Sequence, residues 1–222
     1  MSKVRIGFAA AALLFLLFAV FTVLVKTVDV TDFEGGTIGF SALNNCVHDA
    51  LGTSRTWYLI TEAAGFLAIG EAGCFAIVGL YQLIRRKSLF KVDAAVLALG
   101  ITLVLLAAFY LLFEIVVINN RPVLIDGAAE ASYPSSHTML TVAVFGSCAG
   151  AFSQMVKNGR LSACFAVVSC VIIAVAVVGR LLSGMHWLTD VIAGVVLGAA
   201  LTATFFPTSR LFAWLFSRKT AE

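Results

Sequence analysis

The segment 179–191, GRLLSGMHWLTDV, places three ionisable side chains, Arg180, His186 and Asp190, in a chain with few charges. A histidine nitrogen with a free lone pair can attack phosphorus. A carboxylate four residues later lies one helical turn away, where it can accept a hydrogen bond from the other ring nitrogen. An arginine binds phosphoryl oxygens through paired N–H donors. An interfacial arginine, a capping aspartate and a histidine that reaches the membrane surface would give the same stretch, so this segment alone leaves both interpretations open.

Two upstream segments carry further residue types that suit phosphate. In NNRP at 119–122, Pro122 disfavours a helical Arg121 and predicts that a helix ends there with the guanidinium at the membrane surface. In YPSSH at 133–137, Ser135 or Ser136 can cap a helix whose free N–H groups form an anion site. His137 is placed to protonate a leaving oxygen and then to activate water. These groups predict a phosphoryl-transfer site that requires no metal and no cofactor.

The elements that position these residues are predicted to be transmembrane helices. The 222 residues are 61% hydrophobic and 12% charged, whereas soluble domains average about 25% charged residues. A span needs about 20 apolar residues, and six stretches qualify: 6–25, 57–84, 93–118, 137–156, 161–182 and 187–206. The predicted fold class is an all-α integral membrane protein, a bundle of six transmembrane helices that forms one domain over residues 1–222.

The basic residues predict the orientation of the chain in the membrane. With the N-terminus inside, eleven of the 15 lysines and arginines are cytoplasmic and four are outside, so both termini are expected in the cytoplasm. The three chemical segments then meet at the extracytoplasmic face of the plasma membrane. The net charge of +3 follows from this sorting, and no nucleic-acid partner is expected. The five cysteines suggest free thiols, and FSALNNCVHDAL in the outer loop 26–56 predicts a short amphipathic helix.

Together the three segments resemble the type 2 phosphatidic acid phosphatase superfamily. That family's pattern is a lysine, six residues and Arg-Pro; then Pro-Ser-Gly-His; then Ser-Arg, five residues, His, three residues and Asp. Here the segments read EIVVINNRP at 114–122, PSSH at 134–137 and GRLLSGMHWLTD at 179–190. The resemblance implies metal-independent hydrolysis of a lipid phosphate or diphosphate through a phosphohistidine intermediate.

The resemblance also implies a role for each matching residue. His186 would be the nucleophile, Asp190 the residue that orients it, and His137 the general acid and base. The residues implied to bind the substrate phosphate are Arg121, Arg180, Ser135 and Ser136, the last through its backbone.

Three positions depart from the family pattern. Gly179 replaces a serine, which removes one hydrogen bond, and Ser136 replaces a glycine, which is tolerable where the backbone is not left-handed. Glu114 stands in place of the phosphate-binding lysine. Seven residues before Arg121, it is expected on the same helix face, about 10 Å away along the axis. Either Glu114 pairs with Arg121 or Arg180 and sets selectivity for a less highly charged phosphate, or the phosphate site is weakened.

Several alternatives remain open from the sequence. Glu71 near the centre of the second span is a functional candidate or a protonated acid bonded to a neighbouring helix, and Glu62, nearer the outer surface, can face the active site. A lipid phosphotransferase would use the same residues as a hydrolase, and Glu114 also permits a lipid-binding or transport protein with lost catalysis. The expected partners are membrane lipids and a lipid substrate of the bacterial envelope: an isoprenyl diphosphate or monophosphate, phosphatidylglycerol phosphate or phosphatidate.

Overall fold

The fold is seen in a computed structural model that describes residues 1–33, 36–123 and 130–219. Its helices are α1 (Ser2–Thr27), α2 (Ser41–Leu51), α3 (Arg55–Arg86), α4 (Ala94–Ile115), α5 (Ser136–Met155), α6 (Gly159–Leu182) and α7 (Leu188–Lys219). All of these except α2 are long and apolar enough to cross a membrane. The predicted bundle of six transmembrane helices is therefore confirmed.

Helices α5 and α7 form the centre of the bundle, because more than half of each is buried while α1 and α6 expose most of their surface. Small residues permit their close contact. A Cβ at Gly194 would lie 2.8 Å from the Ser135 carbonyl oxygen, and one at Gly198 would lie 2.7 Å from Val142 Cβ. The glycines at four-residue spacing therefore pack helix against helix, as is usual in membranes. This contact fixes the start of α5 against the first turns of α7.

The outer loop contains two elements, of which one was expected. The predicted amphipathic helix is present as α2. A short antiparallel hairpin, β1 (Thr31–Phe33) and β2 (Gly36–Ile38), precedes it; the sequence did not predict it. The hairpin matters because the segment after α4 bonds to it, through the Asn120 N–H to the Thr37 carbonyl at 3.0 Å.

The end of α4 differs from the prediction. The span was expected to continue to 118 with Glu114 and Arg121 on one helix face, but α4 ends at Ile115 and Val116 is extended. The side-chain oxygen of Asn119 accepts a hydrogen bond from the Gly39 N–H at 3.0 Å. Because the residues after Ile115 bond to the outer loop, they cannot also continue the helix. The expected separation of Glu114 and Arg121 along a helix axis is therefore wrong.

The end of α7 also differs from the prediction. This helix was expected to end at 206, yet it continues through Pro207 to Lys219. Helix α1 covers the proline, since a Cβ at Gly7 would lie 3.0 Å from Pro207 Cβ. Packing of neighbouring helices is what allows proline inside a membrane helix.

Candidate active site

His186 lies in the turn between α6 and α7. Helix α6 ends at Leu182, and Gly184 has a φ of +70°, a backbone conformation that favours glycine. The His186 Nδ1 atom is 3.0 Å from the Ser132 carbonyl oxygen. A carbonyl only accepts, so Nδ1 carries the hydrogen and Nε2 keeps its lone pair. The Nε2 atom is buried and has no hydrogen-bond partner among the described residues, which is the state that a nucleophile needs.

Asp190 supports His186 differently from the expectation. It was expected to accept the hydrogen bond from the second ring nitrogen, but its Oδ2 atom lies 3.8 Å from Nδ1. The carboxylate is fully buried and accepts instead from the Trp187 N–H at 3.0 Å and from the Asn119 side-chain amide at 2.9 Å. The Ser132 carbonyl is nearer to the ring because the chain before α5 lies directly beside it. Asp190 thus places a negative charge near His186, and its hydrogen bonds hold the turn between α6 and α7 against the segment after α4.

Burial decides the protonation state of His186. Desolvation lowers the pKa of the imidazole below its ordinary value, while the Asp190 carboxylate opposes this shift. Burial is the larger effect, so the ring is neutral and Nε2 is unprotonated near neutral pH. The free lone pair is thus present in the resting protein.

His137, Arg180 and Glu62 form one hydrogen-bonded cluster. The Glu62 Oε1 atom lies 3.1 Å from both terminal nitrogens of Arg180 and 3.0 Å from His137 Nε2. The other nitrogen of His137, Nδ1, is 2.6 Å from Arg180. Only 1% of the Arg180 side chain is exposed, and the ring of Tyr58 lies beneath its guanidinium at 5.6 Å. Glu62, which the sequence placed near the outer surface, therefore faces the site.

Arg121 and Glu114 lie on the other side of His186. The Arg121 Nε atom is 3.3 Å from Glu130 Oε2, and Arg121 lines a small pocket together with Glu114 and His186. The expected pairing of Glu114 with Arg121 or Arg180 is wrong: in the described part of the chain their ion pairs are with Glu130 and Glu62. Since α4 ends before Arg121, Glu114 lines the pocket without neutralising a guanidinium.

The serines at the start of α5 separate into two environments. Ser136 is the first residue of α5, in right-handed helical conformation, and it lines the pocket that contains His186. Ser135 occupies the N-cap position without a side-chain cap bond. It is fully buried, and its hydroxyl accepts from Thr138 at 3.0 Å. Ser136 is thus at the pocket, whereas the Ser135 hydroxyl is turned into the α5–α7 contact.

The glycine at 179 has a structural explanation. A Cβ there would lie 2.8 Å from Thr61 Cγ2 and 2.9 Å from Trp57 Cε3. The Thr61 hydroxyl in turn lies 2.9 Å from a terminal nitrogen of Arg180. A hydroxyl from α3 therefore contacts the arginine where the family pattern has a serine beside it.

Four buried polar atoms of this region have no hydrogen-bond partner among the described residues: Arg121 Nε, Arg180 Nε, His186 Nε2 and Ser132 Oγ. Unsatisfied buried polar atoms are rare in folded proteins. The two arginine nitrogens and the Ser132 hydroxyl can donate hydrogen bonds, whereas His186 Nε2 presents a lone pair. Such a set suits a bound anion with an electrophilic centre.

A cavity of about 400 Å³ extends from this cluster toward the lipid between α3, α4 and α5. Its polar end contains Glu62 and His137, and its apolar end contains Phe66 and Ile69. Both of these apolar side chains are more than half exposed at the bundle surface. The cavity shares Ser136 with the His186 pocket, so the chemical groups adjoin a path that is open to the membrane.

The sequence interpretation missed residues that act through contacts with distant parts of the chain. Asn119 bonds Asp190, the Ser132 carbonyl bonds His186, and Thr61 bonds Arg180. Asn119 lies inside the quoted segment NNRP and Ser132 directly precedes YPSSH, which was a signal for both; Thr61 had none. All five cysteines are free, as expected. Among the described residues, no three histidine, cysteine or acidic side chains are grouped as metal ligands.

Comparison with known proteins gives two matches. A family model described as the PAP2 superfamily matches residues 96–214, more than half of the chain. The fold is similar to the crystal structure of a transmembrane PAP2-type phosphatidylglycerolphosphate phosphatase from Bacillus subtilis, with a TM-score of 0.60 and 19% sequence identity. That alignment covers 90% of this chain and 94% of the other. A comparison with curated protein sequences gives no match.

Proposed function

Because this chain belongs to the PAP2 superfamily, we propose that it hydrolyses a lipid phosphate or diphosphate through a phosphohistidine on His186. The nucleophile, the acid and the cations are all side chains in this proposal, so the reaction requires no metal. The site would lie at the extracytoplasmic surface of the plasma membrane, where the lysine and arginine distribution places the loops that carry it.

The observation that carries the proposal is the buried His186 Nε2 atom, which has no hydrogen-bond partner in the part of the chain that the structure describes. Its tautomer is set by the Ser132 carbonyl, and it shares a pocket with Arg121 and Ser136. A buried neutral imidazole with one nitrogen held and the other free is arranged for nucleophilic attack. A merely structural histidine would be expected to use both nitrogens.

The proposed reaction has two steps. In the first, His186 Nε2 forms a bond to phosphorus while the bond to the leaving oxygen breaks, and His137 gives that oxygen a proton. In the second, His137 takes a proton from water as the water oxygen bonds to phosphorus and the Nε2–phosphorus bond breaks. Arg121, Arg180 and the N–H groups at the start of α5 stabilise the equatorial oxygens in both steps.

The cavity between α3, α4 and α5, called the lateral cavity below, supports a lipid as the substrate. Its volume of about 400 Å³ leads from Glu62 and His137 to side chains at the bundle surface, so an acyl or isoprenyl chain can remain in the membrane while its phosphate reaches the site. The candidates are an isoprenyl diphosphate or monophosphate, phosphatidylglycerol phosphate and phosphatidate. The name of the similar Bacillus subtilis enzyme supports phosphatidylglycerol phosphate as a candidate.

Phosphate release by the detergent-purified protein tests this function. The substrates are an isoprenyl diphosphate, an isoprenyl monophosphate, phosphatidylglycerol phosphate, phosphatidate and p-nitrophenyl phosphate, each with a chelator present. His186→Ala is measured beside the wild type. Release from at least one lipid is expected, unaffected by chelator and lost in His186→Ala.

Three results would contradict the proposal. Release that His186→Ala retains would exclude His186 as the nucleophile. A phosphorylated lipid acceptor without free phosphate would identify a phosphotransferase with the same site. No turnover of any substrate would favour the lipid-binding alternative that Glu114 leaves open.

A further inference from the structure

Glu62 contacts both Arg180 and His137, and no family motif contains it. One of its oxygens, Oε1, lies within 3.1 Å of both terminal nitrogens of Arg180 and 3.0 Å from His137 Nε2. The residue belongs to α3, whereas its partners belong to α6 and α5. Its side chain is 26% exposed, and that of His137 is equally exposed, so the cluster is reachable from the lateral cavity.

The backbone of α3 is shaped to hold the imidazole beside Glu62. Gly65 lies one turn later on the same helix face, and a Cβ there would be 2.8 Å from His137 Cδ2 and 3.2 Å from His137 Nε2. Only the absence of that side chain lets the ring lie against α3. The contact between Glu62 and His137 is therefore built by two positions of one helix.

The partners of His137 determine its tautomer. Arginine only donates hydrogen bonds, so the nitrogen that contacts Arg180 at 2.6 Å, Nδ1, must accept. The hydrogen of the neutral ring is then on Nε2 and is directed at the Glu62 carboxylate. This pairing gives His137 a hydrogen-bonded carboxylate partner, whereas His186 is held by a backbone carbonyl.

We propose that Glu62 is the positioning residue of the general acid His137: it holds the Nε2–H and stabilises the imidazolium, so that Nδ1 transfers the proton. When a substrate phosphate takes up the donors of Arg180, Nδ1 is released beside the phosphate and can carry a proton. That proton passes from Nδ1 to the leaving oxygen as the phosphorus–oxygen bond breaks, and the ring becomes neutral. Glu62 keeps Nε2 bonded throughout and does not touch the reacting atoms.

This inference rests on the proposed phosphatase function and makes a prediction that a purely structural Glu62 does not make. An alkoxide leaves poorly unless it is protonated, whereas p-nitrophenolate leaves without a proton at neutral pH. Loss of a proton donor therefore lowers the rate of hydrolysis of alkyl phosphates more than that of p-nitrophenyl phosphate. A residue that only supports the fold or binds phosphate would affect both substrates equally.

The test compares kcat/KM for dioctanoyl phosphatidate and p-nitrophenyl phosphate in the wild type and in Glu62→Gln. Glutamine keeps the size and removes the charge. The loss is expected to be about 10- to 100-fold larger for phosphatidate. The matched control is Glu71→Gln, which makes the same change on α3 away from these pockets, and its ratio of the two rates is expected to equal that of the wild type.

Adding Glu62→Gln to the variant His137→Asn tests whether Glu62 acts through His137. If Glu62 acts through His137, Glu62→Gln removes nothing further from His137→Asn, since residues that act as a unit are not additive. Should Glu62→Gln elute as an aggregate, Glu62→Asp serves in the same comparison, because it keeps the charge and moves it away from Nε2 by one methylene. The selective loss is again expected.

The outcomes separate the inference from the function. Equal losses on both substrates, no loss on either, or an additive loss in the His137→Asn background would overturn the role of Glu62 while the phosphatase remains active. A wild type that releases phosphate from p-nitrophenyl phosphate and from every lipid of the panel at no measurable rate would overturn both.

Discussion

At the scale of single residues, protonation and charge are set by burial and by the nearest partner. His186 is 2% exposed, and its Nδ1 is held by a carbonyl, so the free lone pair does not depend on a hydrogen bond from Asp190. Arg121 and Arg180 each contact a carboxylate, Glu130 and Glu62. The region around these two arginines is therefore less positive than the arginines alone would make it.

His186 is expected to remain neutral at pH 6.5, the ordinary pKa of histidine. Burial lowers the pKa of this group, so protonation occurs only at a lower pH, and the nucleophilic lone pair is available from that pH upward. Nitrogen-15 NMR of labelled protein in detergent measures this directly. The chain has three histidines, and His186→Ala assigns the signal. A His186 signal that is half protonated at pH 6.5 or above would contradict the expectation.

Glu114→Lys is expected to change substrate preference toward diphosphates. Glu114 lines the pocket of His186 and Arg121 without neutralising either arginine, so a lysine there adds a cation to attract the second phosphate. The measurement is the ratio of kcat/KM for an isoprenyl diphosphate to that for its monophosphate. An unchanged ratio would mean that the side chain at position 114 does not affect the preference between diphosphate and monophosphate.

At the scale of elements, the site is assembled by helix ends that are joined through buried asparagines. Asn44 of α2 donates to the Thr189 hydroxyl at 2.9 Å and accepts from the Thr189 N–H at 3.2 Å. Asn119 donates to Asp190 at 2.9 Å. The outer loop and the end of α4 therefore hold the first turn of α7, which follows His186.

Asn44→Ala is expected to destabilise the protein by about 1–3 kcal/mol, because the buried Thr189 N–H and Gly39 carbonyl lose their hydrogen bonds to its side chain. Asn45→Ala is the matched control, since the neighbouring residue is exposed and bonds only the Ser41 hydroxyl among the described residues; its effect is expected within about 0.5 kcal/mol. Thermal unfolding in detergent compares the two. Equal effects would show that the link from α2 to α7 contributes little.

Gly179→Ser, which restores the family residue, is expected to destabilise this chain by about 1–3 kcal/mol through overpacking. The new Cβ would lie 2.8 Å from Thr61 Cγ2. Thr61→Ser removes that methyl group and keeps the hydroxyl that contacts Arg180, so the double variant is expected to recover part of the loss. Thermal unfolding of the two single variants and the double variant measures the coupling. Additive losses would contradict the contact.

At the scale of the whole molecule, six spans bring the three motif segments to one end of the bundle. Helices α5 and α7 are buried at the centre, and the lateral cavity lies between α3, α4 and α5 on the same side as Glu62. The candidate groups thus lie together at one end of the bundle, beside a cavity that opens at its side. Which membrane surface this is depends on the orientation of the chain.

Both termini are expected in the cytoplasm, because eleven of the 15 lysines and arginines then lie inside. The orientation is tested with variants that lack the five native cysteines and carry one introduced cysteine each. Asp49→Cys, at a side chain that is 83% exposed in α2, is expected to react with an impermeant maleimide in intact cells. Lys157→Cys, between α5 and α6, is expected to react only after permeabilisation. The reverse pattern would place the site in the cytoplasm.

The sequence by itself determined the six spans, the order of the three motif segments and the residues His186, His137, Asp190, Arg121 and Arg180 as candidates. These are local properties: an apolar run long enough for the membrane, and chemical residue types at short spacings. The break between the predicted spans 161–182 and 187–206 was readable for the same reason, and the structure places there Gly184, whose left-handed conformation ends a helix.

Only the tertiary structure decided which partners those residues have. Glu62 is 118 positions from Arg180, and Ser132 is 54 from His186, so no spacing in the chain predicts either contact. The early end of α4 came from hydrogen bonds to an outer hairpin, and the position of Asp190 came from the competing carbonyl of Ser132. Side-chain hydrogen bonds are satisfied by whichever group packing brings within about 3 Å, and packing is a property of the assembled bundle.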